Sequence, residues 1–108
     1  YMNRHKDPVG KHQISAPLLI MSDKSKNGDF NNGGTYLIGK NNKKIYLEDK
    51  TEIGDLIMYD ATLPHGVDII DKNKKKKWNE FEGRWVGVIA TNKIHGNDAI
   101  SNAKDLEG

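Results

Sequence analysis

Clusters of Gly, Asn, Asp and Lys cut this chain into short stretches rich in Ile, Val, Leu, Tyr and Trp, and that spacing constrains the fold more than any other feature. None of the stretches sustains a helical period. Short apolar runs at such intervals read as an all-β sandwich or barrel. The expected strands are 14–22, 35–38, 44–48, 56–59, 66–70 and 84–91. Gly39-Lys40-Asn41-Asn42 supplies a hairpin turn between the second and third of these, because Gly and Asn tolerate positive φ. Residues 22–34 form a polar loop with strong turn chemistry in Asn27-Gly28-Asp29 and Asn31-Asn32-Gly33-Gly34. A weak helix is expected at 98–106, within a C-terminal tail of 95–108 that follows a single domain at 1–94.

At 108 residues the chain is sized for one domain with a thin core. It has no cysteine, which excludes a disulfide scaffold, a thiolate metal site and a cysteine nucleophile, and fits a cytoplasmic location. No apolar run approaches the ~18 residues of a membrane span. Tyr1-Met2-Asn3-Arg4-His5 does not read as a signal peptide, since no apolar segment follows the basic residue. No membrane partner is expected.

Charge is nearly balanced, 17 Lys+Arg against 15 Asp+Glu, and the basic excess sits in Lys72-Asn73-Lys74-Lys75-Lys76-Lys77. A solvated, mobile loop tip is the stronger reading of that run. Nucleic-acid binding is the lesser one, because no helix-turn-helix, zinc finger or aromatic RNA platform accompanies it.

Metal ligands must then come from histidines and carboxylates. His5-Lys6-Asp7 places an imidazole and a carboxylate at i and i+2, on one face of a strand. His65, after the strand 56–59 and the turn Asp60-Ala61-Thr62-Leu63-Pro64, is the natural third ligand. Two nitrogens and one carboxylate oxygen on one side of a metal leave positions open for substrate and O₂ on Fe(II). His12 reads as solvent-facing and His95 as tail. Trp78 and Phe81 are expected to clamp the lysine loop to the sheet, Trp85 to join the core, and Tyr36 and Tyr46 to pack on paired strands.

In order along the chain, these pieces resemble the Fe(II)- and 2-oxoglutarate-dependent dioxygenases, in style the prolyl-hydroxylase-like branch. His5-Lys6-Asp7 is similar to the proximal His-x-Asp. Gly33-Gly34-Thr35-Tyr36-Leu37 is similar to the Gly-Gly pair that starts a hairpin. Gly54-Asp55-Leu56-Ile57-Met58-Tyr59 leading to His65-Gly66-Val67 is similar to the strand and turn before the distal His, and Gly83-Arg84-Trp85-Val86 to the Arg that opens the last strand. The resemblance covers about residues 5–92.

It implies a double-stranded β-helix (jelly-roll) core without the usual N-terminal helices, in a truncated or minimal member. It implies Fe(II) on His5, Asp7 and His65, and 2-oxoglutarate as cosubstrate with its C5 carboxylate on the planar fork of Arg84. The implied reaction is hydroxylation of a small-molecule or peptide substrate, with decarboxylation of 2-oxoglutarate to succinate; Asp7 fits hydroxylation rather than halogenation. The chain departs from the family in the 18 residues between His65 and Arg84, and in Val86 where many members carry a Ser that shares the carboxylate. Thr91 or a Tyr is expected to take that Ser's part. A cupin-like metal-binding protein and a non-catalytic barrel remnant are the alternatives, and Arg84 argues against the cupin. Without the family's first strand, 84–91 is expected to be an exposed edge that makes a homodimer or is covered by 98–106.

Overall fold

Residues 35–38 and 44–46 form the hairpin that their β-branched and aromatic content predicts. A computed structural model of the chain describes residues 1–6, 13–15, 17–75, 77–89 and 91–92. Asp7, His12, His95 and the helix and tail expected beyond 92 lie outside the described residues. Among those described, the strands in chain order are β1 (Met2–His5), β2 (Gln13–Ser15), β3 (Leu18–Ile20), β4 (Gly34–Ile38), β5 (Lys44–Tyr46), β6 (Leu56–Ile57), β7 (His65–Asp68), β8 (Val86–Val88) and β9 (Thr91–Asn92). The helical turns among them are two short 3-10 segments, Lys40–Asn42 and Leu47–Lys50. No helix of the described residues is long and apolar enough to cross a membrane.

The strands make an antiparallel, all-β arrangement of three sheets, ordered β1-β7-β4-β5, β6-β3-β8 and β2-β9. The stretch 14–22 is not one strand. Pro17 interrupts it, since proline has no N–H to give a ladder. Its carbonyl still accepts from Ile89 N–H at 3.1 Å, so β2-β9 and β3-β8 follow one another as a single interrupted ribbon. The expected strand 84–91 is broken at the same place, into β8 and β9.

Leu18 and Ile20 turn inward from β3 and, with Phe30 and Tyr36, make the buried apolar core. Phe30 reaches it because its loop is pinned at both ends. Asp29 and Phe30 N–H groups donate to the Asp23 carbonyl, while Asn31 and Asn32 N–H groups donate to the Asp71 carboxylate. The hairpin turn runs through Asn41 and Asn42 at φ 61° and 60°, as the residue types predict.

The aromatics around the lysine loop are largely in solvent. Trp78 and Phe81 are 89% and 86% exposed, and Trp85 is half exposed rather than core. Trp85 instead stacks near Phe81 and donates Nε1–H to its carbonyl. The lysines described in the charged run, 72, 74, 75 and 77, are exposed, with Lys74 paired to Glu82 and Lys77 to Glu80.

Candidate metal and carboxylate site

Asp60 builds the turn that delivers His65. Its carboxylate accepts from both the amide and the hydroxyl of Thr62, and its carbonyl from Leu63 N–H. Those bonds from Thr62, the hydroxyl foremost, hold the Asp60 carboxyl below its ordinary range. Pro64 then offers its carbonyl to Ile38 N–H at 2.9 Å, which sets the register of β7 on β4. His65 therefore opens β7 directly opposite Leu37 on one side and His5 on the other.

Directly opposed residues share a sheet face, so the two imidazoles meet. Their ring centroids are 4.3 Å apart. Nδ1 of His5 lies 2.7 Å from the Asn3 carbonyl and Nδ1 of His65 lies 2.8 Å from the Leu63 carbonyl. A carbonyl oxygen only accepts, so each Nδ1 carries a proton, and the neutral form of such a ring has its lone pair on Nε2. A ring anchored this way through Nδ1 has the tautomer that a metal-ligating histidine needs. His65 is buried, and Tyr59 packs edge-on against it at 5.3 Å. Among the described residues no group of three His, Asp or Glu side chains gathers at one point, and Asp7 lies outside them.

Arg84 sits on the same face. Thr35 opposes Val67, which is two residues along β7 from His65, so Thr35, Val67 and His65 point the same way. Such diagonal neighbours lie about 7–8 Å apart. Arg84 Nη2 donates to the Thr35 hydroxyl, and Arg84 Nε donates to Glu48 Oε1 at 2.5 Å. Thr35 is thus the hydroxyl beside Arg84 among the described side chains.

Glu48 is the residue that reading the sequence misses. The expected strand 44–48 ends at Tyr46, and the 3-10 turn Leu47–Lys50 swings Glu48 beside the first residues of β4. Its carboxylate takes the ladder's place there, accepting Thr35 N–H on both oxygens at 3.2 and 2.9 Å. Gly33 and Gly34 make this possible, with φ of 85° and 101°. A Cβ on Gly34 would lie 3.0 Å from Glu48 Oε2. The side chains of Glu48 and Arg84 are 2% and 12% exposed, so this is a buried ion pair.

No protein-family model, curated protein or solved structure matches this chain.

The opposite face of the same sheet carries a second polar group. Asp68 accepts from Lys44 Nζ at 2.6 Å and from the Tyr46 hydroxyl at 2.5 Å. The hydrogen bond to Asp68, then burial, pushes the Tyr46 phenol up to about 12, while Lys44 and then Tyr46 hold the Asp68 carboxyl below its ordinary value. A cleft of about 380 Å³ opens there between Tyr36, Tyr46, Asp68 and the first residues of the chain. Another of about 490 Å³ lies under the lysine loop beside Trp78 and Trp85. Neither of these two clefts takes a wall from His5, His65 or Arg84.

Proposed function

We propose that this chain is an Fe(II)- and 2-oxoglutarate-dependent oxygenase on a jelly-roll framework, hydroxylating a small-molecule or peptide substrate. The observation that carries the reading is the His5–His65 pair, with each Nδ1 tied to a backbone carbonyl, on the face that holds the Arg84 guanidinium.

Strand order supports the framework. A jelly roll has eight strands in two sheets. Numbered one to eight, they run 1-8-3-6 and 2-7-4-5. If β2 with β3 and β8 with β9 each count as one strand, β1-β7-β4-β5 corresponds to 2-7-4-5, and β6-β3-β8 to 6-3-8. The position of strand 1, beside β8, has no described strand in it.

The residues fit a divalent metal as far as they are described. His5 and His65 would hold it through Nε2, with Asp7 as the carboxylate ligand. Bound Fe(II) and 2-oxoglutarate supply O₂ activation coupled to decarboxylation of the cosubstrate to succinate. The chain's own part is to orient. The carbonyls of Asn3 and Leu63 fix both rings, Tyr59 packs the His65 ring in place, and Arg84 presents donors to the far carboxylate of the cosubstrate. Equilibrium dialysis of Mn(II) against the wild-type chain and His65→Ala tests the metal site. The reading requires one bound metal per chain, lost in the variant.

A second reading has one specific observation in its favour. The ion pair with Glu48 gives Arg84 a structural employment, as a metal-binding cupin-like protein without a cosubstrate would have it. Metal binding with no effect of 2-oxoglutarate would select that reading.

The partner reading is a homodimer through β8. That strand is an edge of its sheet among the described residues, and Val88 on it and Ile89 just after it are exposed. Unblocked edges recruit a second chain.

A further inference from the structure

We infer that Glu48 is a specificity-determining residue: a built-in carboxylate on Arg84 that makes the site nearly indifferent to whether the far end of its ligand is charged. The inference rests on the 2-oxoglutarate reading and deepens it.

Arginine can meet a carboxylate along either of two edges, Nε with Nη2 or Nη1 with Nη2. Here the first edge is filled. Nε is on Glu48 and Nη2 on Thr35. Among the described residues Nη1 makes no hydrogen bond, and the Arg84 side chain is 12% exposed, so the Nη1 edge is the one left for a ligand. A ligand must come in along that edge.

Glu48 is a fixture rather than a passing occupant. Both its oxygens take Thr35 N–H, and its side chain is 2% exposed. The guanidinium charge is therefore already neutralised in a region where water screens poorly. A second carboxylate arriving at Nη1 gains hydrogen bonds from Arg84 but is repelled by Glu48 across it. An uncharged amide oxygen accepts from the same edge, through one oxygen rather than two, without that repulsion. Arg84 thus reads the geometry of the terminal oxygen more than its charge. Ligands of the site accordingly include 2-oxo acids whose far end is an amide as well as those ending in an acid.

The test is calorimetric titration of the Mn(II)-loaded chain with 2-oxoglutarate and with its C5 N,N-dimethylamide, an uncharged far end that cannot close to a lactam. In the wild type the two dissociation constants should agree within about fivefold, and in Glu48→Gln, which removes the charge but keeps an acceptor for Thr35, the acid should become preferred by about tenfold or more, a difference of about 1.4 kcal/mol. A wild-type preference for the acid beyond about fivefold, or an unchanged ratio in Glu48→Gln, overturns the role of Glu48 and leaves the 2-oxoglutarate reading standing. Binding of neither ligand to a chain that holds Mn(II) overturns the reading itself and the inference with it. Should Glu48→Gln fail to fold, the ratio in the unmodified chain decides.

Discussion

His5 and His65 are directly opposed across β1 and β7, with ring centroids 4.3 Å apart and each Nδ1 tied to the carbonyl two residues before it in the chain. Two residues that are sixty apart in the chain thereby share one tautomer and one sheet face. The Asx turn at Asp60 sets where β7 begins, and the β1–β7 register does the rest.

The buried pair next to this face is a stability element as well as a candidate site. Truncation of Glu48 to Ala removes the counter-ion of a guanidinium that is 12% exposed and the acceptor of Thr35 N–H. Breaking a buried pair from one side costs about 3–5 kcal/mol. The double variant Glu48→Leu with Arg84→Met should recover much of that loss, because no charge is then left buried. Chemical denaturation of the two variants against the wild type measures both effects.

Gly33 is fixed by backbone geometry and by space. Its φ is 85°, and a Cβ there would lie 2.3 Å from the Ile69 carbonyl oxygen. Gly33→Ala should therefore destabilise by more than about 1 kcal/mol, since Ala at such a φ is strained even where room exists. Gly54 has a φ of 96° with open space around its missing Cβ, so Gly54→Ala should carry the conformational part alone. The difference between the two melting points isolates the steric part.

Much of this architecture is legible in the sequence, for local reasons. The hairpin is carried by Asn41 and Asn42 at positive φ and by the Tyr36–Tyr46 pair, all within a dozen residues. The turn before His65 is equally local. Pro17 splits the stretch 14–22 because a missing N–H matters more there than apolar content. Glu48 and Arg84 are different. They lie 36 residues apart, and nothing in the spacing around Glu48 shows that its strand stops at Tyr46 and turns it inward. Trp85 misleads for the opposite reason: its size suggests core, but it leads into β8, an edge strand among the described residues, and half of it stays in water.

On the far face, Tyr46 and Asp68 make stability depend on pH at both ends. Tyr46 has its folded value raised from 10.0 to about 12, so its contribution is whole below 10 and is lost as pH rises through about 12. Asp68 is depressed from 3.8, so its contribution is present above that value and is lost as pH falls through the lower folded one. Phenolate absorbance should show Tyr46 titrating near 12, and Asp68→Asn should bring it back toward 10. The same substitution should flatten the acid limb of a stability profile.

The edge of β8 has a simple hydrodynamic consequence. Sedimentation equilibrium should report a dimer, and Val88→Lys, a charge placed on an exposed edge position, should yield a monomer of unchanged melting temperature. A wild-type monomer would remove β8 as the contact between copies.

The central claim is that the histidine pair and Arg84 form one site for Fe(II) and 2-oxoglutarate. Anaerobic titration of the Fe(II)-loaded chain with 2-oxoglutarate, followed by visible absorption, tests it most directly. The account predicts the weak charge-transfer band of the chelate, absent in His65→Ala and reached only at higher cosubstrate concentration in Arg84→Lys, whose ammonium lacks the planar donor edge. Tight Fe(II) binding with no such band at any 2-oxoglutarate concentration would contradict it.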